Sequence, residues 1–110
     1  MGIVVICSYR PNEGQDGDFL RLLERHHGVL RHLNLITERP VVYLQSDDRV
    51  YLEIFEWISE EASRGAHDHE SIKEIWGEMA QVSEFLPLSA LEEAKTPFAH
   101  FTPFSFDQKD

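Results

Sequence analysis

Val50-Tyr-Leu-Glu-Ile-Phe-Glu-Trp57 is the stretch on which the fold turns. As a strand it alternates, setting Val50, Leu52, Ile54 and Glu56 on one face and Tyr51, Glu53, Phe55 and Trp57 on the other. Both sets are largely apolar, so both faces call for cover. Just upstream, Pro40 opens a second extended run, Val41-Val-Tyr-Leu-Gln45, and Asp47-Asp48 separates the two. The pair predicts a β-hairpin, although Asp-Asp is a weaker turn signal than Asn-Gly.

Working outward towards the N-terminus, Gly2-Ile-Val-Val-Ile-Cys-Ser-Tyr-Arg10 is apolar at nearly every position, which predicts a central strand covered on both faces. Pro11-Asn-Glu-Gly14 breaks it. Asp16 or Asp18 then caps a helix whose apolar residues Phe19, Leu22, Leu23, Leu30 and Leu33 recur at helical spacing and which ends near Leu35. Gly28 inside that helix costs about 1 kcal/mol relative to alanine, implying a close helix–sheet approach or a bend.

Downstream, Ser59-Glu-Glu-Ala62 has the form of a helix start, with serine accepting free amide hydrogens and the glutamates matched to the helix dipole. After His67-Asp-His-Glu70, the positions Ile72, Ile75, Trp76, Met79, Val82 and Leu86 predict an amphipathic helix running to about Phe85 and stopped by Pro87. Leu88 to Ala94 has room for a further turn or two. Phe98-Ala-His-Phe-Thr-Pro-Phe104 is the last strand, confined by Pro97 and Pro103 to an edge or a short segment. One domain spans residues 1–106, and 107–110 form a loose tail.

The order β-α-β-β-α-β is the split arrangement called ferredoxin-like: an α+β protomer whose antiparallel sheet carries helices on one face only. The other face would present more apolar surface than a monomer tolerates, and a second copy of the chain is its simplest cover. A homodimer is therefore expected.

The charge balance narrows the partners. Residues 51–110 carry 13 Asp/Glu against 4 Lys/Arg, and hold nine of the ten excess negative charges. Phosphates need a basic face, so no nucleic acid and no anionic membrane surface is expected as a partner. The longest apolar run, Ile3 to Cys7, is far short of a membrane span and has neither the basic flank nor the length of a signal peptide, which points to a cytoplasmic protein. The lone Cys7, inside that run, reads as a buried inert thiol.

The segment Tyr51-Leu-Glu-Ile-Phe-Glu-Trp-Ile-Ser-Glu-Glu-Ala62, followed by His67 and Ile72-Lys-Glu-Ile-Trp76, resembles the dimeric α/β-barrel proteins of the antibiotic-biosynthesis-monooxygenase type. The likeness spans roughly residues 2 to 104. It implies two ferredoxin-like chains packed sheet against sheet, each with a cleft between sheet and helices. It also implies, as one activity of the class, cofactor-independent oxygenation of an aromatic molecule. Fold alone does not choose among the activities of such a class. The haem-degrading members' Asn on the first strand has no counterpart here, and alignment from Trp57 puts Ala66 in place of their Trp and Trp76 in place of their His. Haem, and cofactors generally, are not expected.

Within the sequence itself, Glu53 is the most informative candidate, since a carboxylate between Leu52 and Ile54 in a buried strand must be paired, hydrogen-bonded or protonated. It serves either as an ion-pair partner across strands or at a dimer interface, or as a carboxylate lining a cleft beside Tyr51, Phe55 and His67. Glu53 and His67 are thus the candidate catalytic base, and Tyr51, Phe55, His26 and Trp76 the candidate contacts to a small aromatic ligand. Each has a plainer account. One of His26 and His27 must face the sheet, as a hydrogen-bonded imidazole or as a proton acceptor. His67 suits a helix C-terminus through the dipole, and Trp76 suits either core packing or a stacking wall. His67-x-His69 lacks a third ligand fixed by sequence, so no metal is expected. The competing reading is a non-catalytic homodimer whose clefts bind a small molecule, or are filled and serve interaction.

Overall fold

The computed structural model describes residues 2–106. The expected tail at 107–110 lies outside them. The strands are β1 (Ile3–Pro11), β2 (Val42–Gln45), β3 (Tyr51–Trp57), β4 (Ser83–Leu86) and β5 (Thr102–Phe104); the helices are α1 (Asp16–His32), α2 (Glu60–Gly65) and α3 (Glu70–Val82). The sheet is antiparallel in the order β4-β1-β3-β2-β5. This α+β arrangement is compatible with a ferredoxin-like fold.

The hairpin forms between β2 and β3, but its loop runs through Asp47, Asp48 and Arg49, closed by Ser46 N–H donating to the Val50 carbonyl at 2.8 Å. Arg49 adopts φ 62°, the left-handed position such a loop needs, and its guanidinium reaches the Pro11 carbonyl and Asp16. Ser59 caps α2 as expected, accepting from Ala62 N–H at 3.0 Å.

Several expectations are corrected. The second long helix ends at Val82, because Ser83 turns extended, donates its hydroxyl to the Met79 carbonyl at 2.6 Å and starts a strand that pairs with Ser8–Pro11 of β1. The strand beside β1 is therefore Ser83–Leu86, while Phe98–Phe104 supplies β5, short and at the opposite edge against β2 as Pro97 and Pro103 predict. The first helix stops at His32, where Asn34 turns left-handed at φ 58°, and neither Asp16 nor Asp18 caps it: Gln15 is the N-cap and makes no side-chain cap bond. Gly28 marks no close approach, since a Cβ there would meet nothing within 4 Å.

The core lies between the sheet and the helices. Tyr9, Phe19, Leu22, Leu23, Tyr51, Ile75 and Met79 form one half, and Leu30, Leu35, Ile36, Phe55, Trp57, Ala66 and Ile72 the other. The reverse face is covered only in part, where Leu91 and Phe101 of the C-terminal segment pack on Val50, Leu52, Leu44 and Leu86. There β1 departs from the expectation of cover on both sides. Val4 is 53% and Ile6 45% exposed, and Val42 is open beside them. No helix among the described residues is long and apolar enough to cross a membrane.

Candidate active site

In the antiparallel register Cys7 stands opposite Glu53 and Tyr9 opposite Tyr51, so all four side chains project from the same face of the sheet towards the helices. Glu53 is fully buried there, and its desolvation requires partners. Tyr9 donates its hydroxyl to Oε1 at 2.9 Å, and His26 Nδ1 lies 2.9 Å from Oε2. On the far side of the imidazole, Trp76 Nε1–H donates to His26 Nε2 at 2.9 Å. Each partner comes from a different element: Tyr9 from β1, His26 from the buried stripe of α1, Trp76 from α3.

The indole fixes the protons of this chain. Its Nε1–H can only donate, so His26 Nε2 carries the lone pair and the imidazole proton sits on Nδ1, donating to Glu53. Glu53 thus accepts both of its bonds, as a carboxylate does. Its charge is felt by its neighbours. Burial, and then the Glu53 charge, push the Cys7 thiol up to about 12 and the Tyr9 phenol well above its ordinary range. Tyr43 is raised by the same two causes. His27, next along α1, is lowered mainly by burial.

A cavity of about 300 Å³ adjoins the chain. Cys7, Tyr9, His26 and Trp76 contribute to its wall, and Phe55, Trp57, Phe85 and Leu86 make most of the rest apolar. Phe55 stands edge-on to His26 at 6.1 Å and to Trp57 at 5.1 Å, and Phe85 edge-on to Tyr9 at 5.4 Å. Such a space, apolar with a few polar groups, is the usual form of a small-molecule site, at the lower end of the usual size range.

Of the sequence-predicted site residues, Glu53, His26, Phe55 and Trp76 converge here. Tyr51 faces the same side but packs between Phe19 and Phe104, outside the cavity lining. His67 does not join the cluster: it sits on the 3-10 turn Ala66–Asp68 with its side chain 66% exposed, 3.6 Å from Asp68. The placement of His67 beside Glu53 is therefore corrected. The partner of Glu53 is instead His26, whose buried position on α1 leaves it 2% exposed. Tyr9 was missed. Its signal was its register position, two residues from Cys7 on the strand that pairs with β3. Among the described residues, no group of three or more His, Cys, Asp and Glu side chains is placed to hold a metal ion.

No family model, no curated protein and no solved structure matches this chain.

Proposed function

We propose that the chain is a homodimeric, ferredoxin-like protein of the antibiotic-biosynthesis-monooxygenase class that takes a small planar aromatic molecule into the cavity beside His26. The observation that carries this reading is the imidazole held at the cavity wall with Glu53 behind it at 2.9 Å. A carboxylate on Nδ1–H orients the ring and stabilises the imidazolium that forms when Nε2 takes a proton. His26, rather than His67, is then the base, and Glu53 the residue that positions it.

The chemistry that suits this arrangement is oxygenation of an electron-rich phenol without metal or flavin. His26 takes the phenol proton, and a ring carbon of the phenolate bonds to one atom of O₂. The hydroperoxide so formed, protonated by the imidazolium, loses water as the ring C–H bond breaks and a carbonyl forms. The product is a quinone, one oxygen atom enters it, the other leaves as water, and all four electrons come from the substrate. The exposed apolar face at Val4, Ile6 and Val42 supports the dimer, since a second copy would remove that surface from water.

An oxygen electrode with single- and double-ring phenols tests the activity. Consumption of O₂ in proportion to quinone formed, abolished in His26→Gln and strongly reduced in Glu53→Gln, is the expected result. Turnover indifferent to both substitutions would remove the proposal. One observation favours a second reading, a non-catalytic binding protein: the Trp76 N–H already occupies the lone pair that a base would use. Binding of phenols with no O₂ uptake is its signature.

A further inference from the structure

The bond from Trp76 Nε1 to His26 Nε2 is the end of the buried chain that meets the cavity. Tyr9, Glu53 and His26 are all buried, whereas Trp76 is only partly so. Behind that bond the donors are spent: Tyr9 O–H and His26 Nδ1–H both point at Glu53. What this chain offers a ligand without disturbing Glu53 is therefore one donor and one acceptor that presently satisfy each other at 2.9 Å.

We infer that this bond is an insertion site for a single neutral hydroxyl, and that Trp76 is the residue that selects phenols and enols over acids, amines and bare hydrocarbons. The inference rests on the reading of the cavity as a small-aromatic site. A hydroxyl donates to Nε2 and accepts from Nε1–H through the same oxygen, so its entry exchanges one hydrogen bond for two and leaves no polar atom unpaired. A carboxylate has no proton for Nε2 and would bring its charge towards that of Glu53. An ammonium has no lone pair for the indole. A hydrocarbon fills the apolar wall of Phe55, Trp57 and Phe85 but leaves the Trp76–His26 bond closed. The two partners converge on one point, which suits one amphiprotic atom better than an amide, whose donor and acceptor stand apart. Once the proton has moved to Nε2, the indole N–H remains on the phenolate oxygen and strengthens as charge collects there.

Phenol, toluene and benzoate are near-isosteric probes that separate these cases, titrated into the full-length protein and followed by calorimetry and tryptophan fluorescence. Phenol is expected to bind about tenfold more tightly than toluene, the worth of one net hydrogen bond, with benzoate excluded. In Trp76→Phe, which keeps the ring and loses the donor, the preference for phenol over toluene should collapse. The wild-type comparison stands even if that variant folds poorly. Toluene binding as tightly as phenol, or benzoate competing with it, would overturn the inference while leaving an aromatic cavity. Failure of both phenol and toluene to bind would overturn the reading of the cavity itself.

Discussion

The two faces of the sheet treat polar and apolar groups in opposite ways. On the side of α1 and α3, a fully buried carboxylate, a buried imidazole and a buried phenol are tied together with bonds of 2.9 Å, and the apolar residues around them are covered. On the reverse side, Val4 and Ile6 lie open, and Ser8, which shares their face by alternation, has a buried hydroxyl without a partner. On the first face the chain from Tyr9 through Glu53 and His26 to Trp76 is satisfied within one protomer, and the buried Nε2 of His27 is the polar atom left there without a partner among the described residues. The second is covered only where Leu91 and Phe101 reach it, and beyond them Val4, Ile6 and Val42 stay exposed.

The comparison breaks most easily at Glu53. Glu53→Ala leaves the Tyr9 hydroxyl and His26 Nδ1–H facing a void, and loss of one member of a buried charged network costs about 3–5 kcal/mol. Glu53→Gln keeps Oε1 as an acceptor and should cost about 1–2 kcal/mol. Urea unfolding gives both values. Equal stability of Glu53→Ala and the wild type would show that the helix-covered face does not depend on its polar chain.

Ile6→Asp tests the other face. If a second copy covers it, an aspartate buried there should weaken the dimer by about 2–3 kcal/mol or more, roughly a hundredfold in Kd. Light scattering after gel filtration would then report monomers with an unchanged circular dichroism spectrum. A wild type that is already monomeric, with Ile6→Asp neutral in stability, would mean that the open face is simply tolerated.

A smaller effect follows from the raised acids. An unfolded thiol ionises near 9.0 and the folded Cys7 only near 12, so between these values the native chain holds a proton that the unfolded chain has lost. Tyr9 and Tyr43 are displaced in the same direction. Stability should thus be flat up to about pH 9 and fall as pH rises above it. Thermal melts from pH 7 to 11 measure the slope. At pH 8 Cys7 should resist iodoacetamide until the chain is unfolded.

What the sequence made legible was local. The alternation of Val50–Trp57, the helical stripe from Phe19 to Leu30 and the Ser59 cap each depend on neighbours a few residues away. Glu53 could be recognised as a carboxylate needing a partner because Leu52 and Ile54 flank it, and one of His26 and His27 had to turn inward. The identity of the partners was not legible. It depends on the rotation of α1 and α3 over the sheet and on a register that sets Tyr9 two positions along from the residue opposite Glu53. The end of α3 was missed for the same reason: Val82, Phe85 and Leu86 satisfy a helical pattern, and only pairing with a strand some 75 residues earlier makes Ser83–Leu86 extended. His67, followed by Asp68 and His69, was a plausible chemical cluster by composition, and an exposed turn by position.

The smallest expected effect sharpens the contrast by asking what the outside of α1 contributes. Gly28 lies on that side, exposed, in ordinary helical conformation, with open space where a Cβ would stand. Neither a close approach nor a left-handed backbone requires it, so its cost is the entropy an unfolded glycine gives up. Gly28→Ala should therefore stabilise the protein by about 0.5–1 kcal/mol, read as a higher urea midpoint at unchanged slope. The gain should be the same in the Glu53→Gln background, because a change of helix propensity on the outer side of α1 has no contact through which to couple to the chain beneath it. A gain that shrinks in that background would mean that α1 shifts on the sheet when Gly28 is replaced, and that the seating of His26 is softer than its short bonds suggest.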